Sequence, residues 1–256
     1  MIKTIVKSAF AWLGYSLVNN AKQQGPSDPD SKVAAGLPPS ECYGVFNTGF
    51  PIFQPWLGYG DFVAAFDGVK ERTLVSADRC YLLWKFALHA RQLPGDFIEC
   101  GVFRGGTALL LSRTLPSAGK KLWLFDSFEG LSEASQEKGD FYQRGNFNET
   151  SYEAVAELLK PFSQTVELRK GWIPASFTGL EHLKFSLAHV DVDIYEPALA
   201  CCEFIYPRLV AGGVMIFDDY GYPACRGERN AVDKFFADKQ QPVISLPSGQ
   251  ALVIKT

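Results

Sequence analysis

Four aspartates follow two apolar runs in the second half of the chain. Asp191 and Asp193 stand in the run HVDVDIYE, and Asp218 and Asp219 follow the run GGVMIF. Adjacent strands of a parallel sheet lie about 4.8 Å apart, so Asp191 can converge with the other pair where the strands end. Clustered carboxylates repel one another unless a cation lies between them, and all-oxygen ligands suit Mg²⁺ or Ca²⁺. The spacing therefore predicts a metal site at Asp191, Asp218 and Asp219.

Asp193 is a candidate for a second task at the same place. If the strand continues through Asp193, alternation puts its side chain on the same side as that of Asp191. Asp193 then serves as an additional carboxylate near the metal or as the acceptor of a proton. The alternative is that these aspartates are separate helix caps and turn residues. His189, on the same strand, is interpreted as a core histidine in preference to a ligand.

A glycine-rich turn forms the second group of candidate residues. Glu99–Thr107 reads ECGVFRGGT, in which Gly101 and Gly105 let the backbone approach a ligand and a helix start offers free N–H groups. The spacing differs from the G-x-G-x-x-G of dinucleotide enzymes, and the Glu99 carboxylate would serve a pyrophosphate poorly. It suits a cationic ligand that carries a sulfonium and an amino group. The alternative is a plain tight turn, with Glu99 paired to a nearby base.

Asp126 ends the next predicted strand, 27 residues after Glu99 (126 − 99 = 27). A carboxylate at this position can accept hydrogen bonds from both hydroxyls of a ribose. The alternative is that Asp126 caps a helix. Together, the glycine turn and the ribose acid indicate a cofactor that contains a nucleoside.

Strand and helix patterns alternate from residue 71 onwards, which predicts an α/β fold with a doubly wound, mostly parallel sheet. A hairpin at the end of the chain adds an antiparallel edge, so that the sheet has seven strands. The predicted helices are Glu71–Leu93, Thr107–Leu115, Tyr152–Leu159, Pro197–Arg208 and Arg226–Ala237. The predicted strands are Phe97–Cys100, Lys121–Phe125, Thr165–Leu168, Leu187–Val192, Val214–Phe217, Pro242–Leu246 and Ala251–Ile254. All the candidate residues above fall at strand ends, where such sheets bind ligands.

The first 70 residues differ from residues 71–256 and are expected to form a helical and loop cap. Residues 2–17 have helical spacing, which predicts an amphipathic helix packed on its own domain or on a partner subunit. A weak contact with a membrane surface through residues 2–17 is the alternative. Residues 21–40 indicate a linker, and the aromatic-rich residues 41–69 indicate a cap over a pocket or a dimer contact.

Composition excludes several classes of function. The 256 residues carry 25 Lys and Arg against 28 Asp and Glu, and this balance gives no electrostatic footprint for nucleic acid. An apolar stretch of about 20 residues, long enough to span a membrane, is absent from the sequence. Six cysteines without a C-x-x-C spacing favour a reduced, cytoplasmic location.

Five motifs, in order along the chain, closely resemble the macrocin O-methyltransferase family. They are ECGVFRGG, FDSFEG, KGW, HVDVDIYEP and GGVMIFDDY, and the resemblance covers roughly residues 70–240. That family contains metal-dependent enzymes that methylate sugar hydroxyls of macrolide and aminocoumarin antibiotics. The resemblance implies a Rossmann-like class I S-adenosylmethionine (SAM) methyltransferase fold, the cofactors SAM and Mg²⁺, and a homo-oligomer.

The resemblance also assigns roles to single residues. It matches the metal ligands to Asp191, Asp218 and Asp219, and it matches Asp193 to the acid proposed as general base in part of the family, so Asp193 and Asp191 are the expected catalytic residues. The cofactor-binding positions that it implies are Thr73, Glu99, Gly101, Arg104, Gly105, Asp126, Ser127, Gly130, Gly171 and Trp172.

The acceptor remains open at this stage. The resemblance implies a small molecule or glycan with vicinal hydroxyls on a sugar, and a catechol or another non-sugar diol is the alternative. A D-x-D glycosyltransferase, which would use Asp191 and Asp193, leaves Glu99 and the glycine turn without a purpose. A non-catalytic binding or assembly module is the remaining class, and the intact set of acids argues against it.

Overall fold

The computed structural model describes residues 54–58, 60–115 and 119–256. The predicted helix at residues 2–17, the linker at residues 21–40 and residues 41–53 and 59 of the aromatic-rich segment lie outside the described residues. Within the described residues, none of the helices combines the length and the apolar character needed to cross a membrane.

Seven strands form one sheet in the order β3-β2-β1-β4-β5-β7-β6. The strands β1 to β5 pair in parallel, whereas β7 runs antiparallel to both β5 and β6. The predicted doubly wound sheet with a terminal antiparallel hairpin is therefore confirmed. The strand bounds are β1 Asp96–Cys100, β2 Leu122–Asp126, β3 Val166–Lys170, β4 Phe185–Val190, β5 Leu209–Phe217, β6 Ile244–Ser245 and β7 Ala251–Ile254.

Helices cover both faces of the sheet. Because side chains alternate along a strand, Leu187 and Ile216 pack with α2 and α3 on one face, and Ala188 and Met215 pack with α5 and α6 on the other. The two apolar layers hold the carboxyl ends of the strands at one edge. The helix bounds are α1 Phe62–Asp67, α2 Ala77–Ala90, α3 Gly106–Ser112, α4 Tyr152–Leu159, α5 Tyr195–Ile205 and α6 Arg226–Phe236.

The described part of the aromatic-rich segment packs on α2. The ring of Phe62, which is 2% exposed, meets the rings of Tyr81 and Trp84 edge-on, with centroids 5.2 and 6.4 Å apart. Phe62, Ala65 and Val69 belong to the same apolar cluster as Leu83 of α2. Residues 60–69 are thus continuous with the core of the sheet domain.

Two predicted boundaries were wrong in ways that matter for the site. The helix predicted from Glu71 begins only at Ala77, because Thr73 is extended, and Leu74 just before it is 65% exposed. The strand predicted to reach Val192 ends at Val190. Beyond it the chain turns at Asp193, whose φ of +62° lies in the left-handed region and ends the extended conformation.

Gly101 allows the ends of β1 and β4 to lie side by side. Its φ is +90°, and a Cβ added there would overlap the carbonyl oxygen of Asp191. The N–H group of Asp191 in turn donates to the carbonyl of Cys100 over 2.9 Å. The close approach of these backbones sets the position of Asp191 relative to the glycine turn.

Gly101→Ala is therefore expected to be much more costly than an alanine at a glycine with the same conformation and open surroundings. Gly179 has a φ of +87° and nothing within 4 Å of an added Cβ. We expect Gly179→Ala to cost about 1 kcal/mol for the left-handed conformation alone. Gly101→Ala adds a backbone collision and should cost about 2–4 kcal/mol. Urea unfolding of both variants measures the difference, and equal losses would contradict the proposed close approach.

Candidate functional site

Glu99 lies at the end of β1, beside the glycine turn, and is completely buried. One carboxylate oxygen, Oε1, lies 2.9 Å from Nδ1 of His189 on the adjacent strand. The other oxygen, Oε2, is buried and has no hydrogen-bond partner among the described residues. A buried carboxylate oxygen without a donor is costly, so this atom is suited to receive a cationic N–H group from a ligand.

Asp126, at the end of β2, holds the glycine turn in place. Its Oδ2 atom accepts hydrogen bonds from the backbone N–H groups of Val102 and Phe103 over 2.8 and 2.9 Å. Its Oδ1 atom accepts from the N–H group of Phe128 over 2.6 Å. An ionised carboxylate offers about four acceptor positions, so one is left for a ribose hydroxyl. Sequence reasoning found the acid but not its contacts with the turn.

Four of the expected cofactor positions lie in the segments that follow β2 and β3, next to Asp126. Gly171 and Trp172 follow β3, and the Gly171 N–H group donates to the carbonyl of Asp126 over 2.9 Å. Ser127 forms a local turn, because its hydroxyl donates to the carbonyl of Gly130 over 2.8 Å. A Cβ on Gly130 would lie 2.5 Å from the carbonyl oxygen of Asn146, so this glycine permits a close approach of the following loop.

The Thr73 side chain lies against the glycine turn, whereas the Arg104 side chain contacts the loop before α4. A Cβ on Gly106 would lie 2.7 Å from the Cβ of Thr73, so Thr73 packs directly against the start of α3. Gly105 precedes that start with a φ of +81°. The Arg104 side chain is exposed and donates to the carbonyl of Glu149 over 2.9 Å. Thus the structure brings Thr73 to the turn, whereas it directs the Arg104 guanidinium to the loop before α4.

The predicted metal ligands come together at the ends of β4 and β5. Asp218 is completely buried, whereas Asp191 and Asp219 are partly exposed and hydrogen-bond to each other through their carboxyl groups. Two carboxylates in contact must share a proton or a cation. Burial and the neighbouring aspartates raise the pKa of Asp191 well above its usual range, and burial and Asp218 raise the pKa of Asp219 to about 6.

Asp193 lies in the same cluster, but its backbone conformation differs from the predicted one. The alternation argument was wrong, because the strand has ended and the backbone is left-handed at Asp193. The Sγ of Cys225, at the start of α6, donates to Oδ1 of Asp193 over 3.5 Å. Burial and the charge of Asp219 raise the pKa of Asp193 well above the usual value. Strained backbone at a carboxylate is a common property of functional positions.

Glu228 of α6 adds a fifth acid that sequence reasoning missed. It is completely buried, its Oε1 accepts from the backbone N–H group of Asp219 over 3.3 Å, and its Oε2 has no partner among the described residues. Burial, together with Asp219 and Asp193, raises the pKa of Glu228 well above its usual range. The only sequence signal was helical spacing, which predicts a helix here and does not reveal which strand ends that helix faces.

Two cations, also missed from the sequence, hold the acid cluster together. His189 is a buried strand residue as predicted, but its Nε2 lies 3.4 Å from Oδ1 of Asp218 while its Nδ1 faces Glu99. Burial alone would lower the pKa of His189, but Asp218 and Glu99 outweigh burial and raise it to about 10. Arg79 of α2 forms an ion pair with Asp218 and a longer one, 3.4 Å, with Asp219.

The donor atoms of the cluster are compatible with a divalent ion. Carboxylate oxygens of Asp191 and Asp218 lie within 4.8 Å of each other and of a His189 ring nitrogen, and those of Asp193 and Asp219 lie within 4.8 Å of each other and of the Cys225 sulfur. Because the raised pKa of His189 favours its protonated form, the carboxylate oxygens are the candidate ligands and the imidazole is not. The five carboxyl groups outnumber the two cations, and Asp191 and Asp219 meet at a position where a cation can replace the shared proton. Oxygen atoms from several carboxylates are the ligands that Mg²⁺ and Ca²⁺ prefer.

Asp140 fixes the loop between β2 and α4 to the acid side of the site. Its Oδ1 accepts from the N–H group of Tyr195, the first residue of α5, over 2.9 Å, and its Oδ2 accepts from the N–H group of Ser135 over 2.7 Å. A Cβ on Gly227 would overlap the Asp140 carboxylate, so only glycine leaves room for it. The loop is thereby attached two residues from Asp193.

The two halves of the site lie on either side of the point where the strand order reverses. β1, β2 and β3 carry Glu99, Asp126 and Gly171, while β4 and β5 lead into Asp191 and Asp218. Open α/β sheets bind ligands at such a switch point. The arrangement can hold a cationic nucleoside next to an acidic cluster that binds a cation.

Known proteins resemble this chain in both sequence and fold. One similar protein, from Streptomyces olivaceus, is 8-demethyl-8-(2,3-dimethoxy-alpha-L-rhamnosyl)-tetracenomycin-C 4'-O-methyltransferase. The two sequences are 29% identical over 146 residues, which covers 52% of this chain and 56% of that protein. This chain is 28% identical over 149 residues to mycinamicin III 3''-O-methyltransferase of Micromonospora griseorubida, covering 52% and 58%. The chain thus matches little more than half the length of these relatives.

A solved structure shares the fold of this chain, and a family profile identifies its family. The O-methyltransferase NovP superposes with a TM-score of 0.64 at 23% identity, over 72% of this chain and 82% of that one, which supports the class I methyltransferase fold. The profile of the family described as Macrocin-O-methyltransferase (TylF) matches residues 82–246, more than half of the chain and all of the strand ends that form the site. The chain therefore belongs to the macrocin O-methyltransferase family.

Proposed function

We propose that the protein is a Mg²⁺-dependent O-methyltransferase that transfers the methyl group of SAM to a hydroxyl of a sugar, on a glycoside, a sugar-bearing natural product or a polysaccharide. The observation that carries the proposal is the buried series Glu99–His189–Asp218. It connects a glycine turn suited to a cationic nucleoside with an acid cluster suited to a divalent ion. A transferase that brings a methyl donor to a metal-bound hydroxyl needs these two neighbouring sites.

The residues of β1 to β3 would bind the cofactor. Glu99 offers its unpartnered oxygen to the amino group of the methionine part, and Asp126 offers an acceptor position to the ribose hydroxyls. Gly101 and Gly105 keep the turn free of side chains where the cofactor lies against the backbone. When bound, SAM supplies an electrophilic methyl group on a sulfonium.

The residues of β4 and β5 would orient and deprotonate the acceptor. Asp191, Asp218 and Asp219 hold the cation, which when bound lowers the pKa of a coordinated hydroxyl and fixes its position. Asp193 would accept the hydroxyl proton at its carboxylate, because one of its oxygen atoms lies within 4.8 Å of a carboxylate oxygen of Asp219.

A sugar is the acceptor that the relatives favour. Their names specify a position on a rhamnosyl tetracenomycin and the 3'' position of mycinamicin III. Vicinal hydroxyls can both face the acid cluster, and a catechol offers the same pair of oxygens, so a non-sugar diol is the alternative acceptor. A D-x-D glycosyltransferase is disfavoured because Glu99 and the glycine turn would have no ligand.

A cytoplasmic homo-oligomer completes the proposal. Five cysteines of the described residues are free and buried, which is compatible with a reducing compartment. The family resemblance is the support for the homo-oligomer. The weak membrane-surface contact through residues 2–17 concerns a segment outside the described residues and is kept only as an alternative to packing on the protein itself.

The proposal as a whole is tested by calorimetric titration with S-adenosylhomocysteine (SAH), followed by methyl transfer from SAM. We expect micromolar binding of SAH with or without EDTA, because the metal belongs to the acceptor half of the site. Methyl transfer to sugar diols should require Mg²⁺ and stop in EDTA. No binding of SAH would refute the methyltransferase assignment, and transfer only to catechols would refute the sugar acceptor.

Asp126→Asn is expected to weaken SAH binding at least about tenfold, since the variant loses a charged acceptor for the ribose and for the N–H groups of the turn. Asp96→Asn is the matched control. Asp96 also accepts two hydrogen bonds, from the Lys121 N–H group and the Trp123 indole, but at the opposite end of the sheet. Calorimetry on both variants makes the comparison, and equal losses of affinity would remove Asp126 from the cofactor site.

Asp191→Asn is expected to reduce methyl transfer at least about 100-fold while the affinity for SAH stays within about threefold, because the Asp191 carboxyl group hydrogen-bonds to Asp219 in the acid cluster. Asp233→Asn, at an exposed acid of α6, removes the same charge and should leave both quantities unchanged. Activity of Asp191→Asn that persists in EDTA would show that the cluster does not act through a metal.

A further inference from the structure

Arg79 is a nearly buried guanidinium whose hydrogen bonds all go to the acid cluster and to the segment before α2. It is 8% exposed. Its Nη1 contacts the carboxylate of Asp218 and lies 3.4 Å from Oδ1 of Asp219, so one nitrogen serves both neighbouring acids. These are two of the three carboxylates to which the metal is assigned.

The remaining donors of Arg79 are fixed as well. Nε donates to the Ser76 hydroxyl over 3.2 Å, and Nη2 donates to the carbonyl of Leu74 over 3.3 Å. The guanidinium carbon lies 4.9 Å from the ring centre of Tyr222. A guanidinium held at four sides occupies one defined position and does not sample solvent as a surface arginine does.

Asp218 does not depend on Arg79 alone for its hydrogen bonds. Oδ1 accepts from the side-chain amide of Gln250 over 2.7 Å and lies 3.4 Å from the His189 ring. Removal of Arg79 would thus free Oδ2 while Oδ1 stays held in place. A substitution of Arg79 can therefore remove its charge without displacing the Asp218 carboxylate.

We propose that Arg79 is the resident cation of the acid cluster and that it competes with the divalent ion for Asp218 and Asp219. The inference rests on the metal in the proposed function. A guanidinium and a divalent cation at the same two carboxylates repel each other, and a low-dielectric environment strengthens the repulsion. Binding of the ion then requires Nη1 to withdraw from Asp219 and Oδ2 of Asp218, and Arg79 sets the metal affinity of the site.

The competition predicts that removing Arg79 strengthens the binding of metal. Removing a side chain that merely supports the site would weaken the binding of metal. Arg79→Gln should instead tighten it at least about tenfold, because the repulsion between the two cations is lost. Arg79→Lys keeps the charge and should bind metal within about threefold of the wild type.

These affinities are measured by titrating the full chain with Mn²⁺. The electron paramagnetic resonance signal of the free ion monitors the titration. Arg113→Gln is the control for net charge, since Arg113 donates to the carbonyl of Ala65, far from the acids. Affinity of Arg79→Gln equal to or below that of the wild type would overturn the inference and leave the metal assignment intact. Failure of both proteins to bind Mn²⁺ would overturn the metal assignment and the competition together.

A measurement on the wild-type protein keeps the inference testable if Arg79→Gln does not fold. The Nε–H resonance of Arg79 can be assigned by its loss in Arg79→Lys. Saturation with Mg²⁺ should shift this resonance, because Nη1 leaves its two carboxylates while Nε keeps Ser76. An unchanged resonance at saturating Mg²⁺ would refute the competition.

Discussion

The arrangement of the whole site follows from the burial of like charges at one edge of the sheet. The cluster lies in a largely buried region, where water screens the repulsion between carboxylates only weakly. Its members are Asp191, Asp193, Asp218, Asp219 and Glu228. His189 and Arg79 offset part of this charge and lock Asp218 in its ionised form, so that burial, which would raise its pKa, is outweighed and the pKa is lowered. The remaining excess of negative charge is the physical basis for the proposed cation site.

The same constraint links the cluster to the cofactor half. His189 lies between Glu99 and Asp218, and the pairing of β1 with β4 places Glu99 and His189 at the same level of the sheet. One imidazole therefore touches both halves. The glycine turn depends on a third acid, Asp126, whose carboxylate gathers N–H groups of the turn. Acidic side chains thus fix the backbone or the charge of both halves of the site. Gly101 allows the glycine turn and Asp191 to lie close together.

Much of this could be predicted from the sequence, for identifiable reasons. Strand ends in an α/β fold follow from apolar runs bounded by turns, and the acids at those ends stand out as polar residues after apolar strands. Contacts that join distant elements could not be predicted. Arg79 lies 139 positions from Asp218, and helical spacing predicts that its helix packs on the sheet without revealing which strand end the guanidinium meets. Alternation predicted that Asp193 lies beside the other aspartates. It does lie there, but a left-handed turn and not a continued strand places it, so the predicted position was right and the reason for it was wrong.

The attachment of the β2–α4 loop by Asp140 has a consequence for the exchange of parts between related proteins. Asp140 is bound to the start of α5, and Gly227 provides the space that the carboxylate fills. Two further contacts hold the same loop, from the Asn230 side chain to the Lys138 carbonyl and from the Leu131 N–H group to the Asn146 carbonyl. A graft of residues 131–147 from another family member should therefore keep Asp140 together with the residues of α6 that this loop contacts, Gly227 and Asn230, so that the start of α5 stays in place.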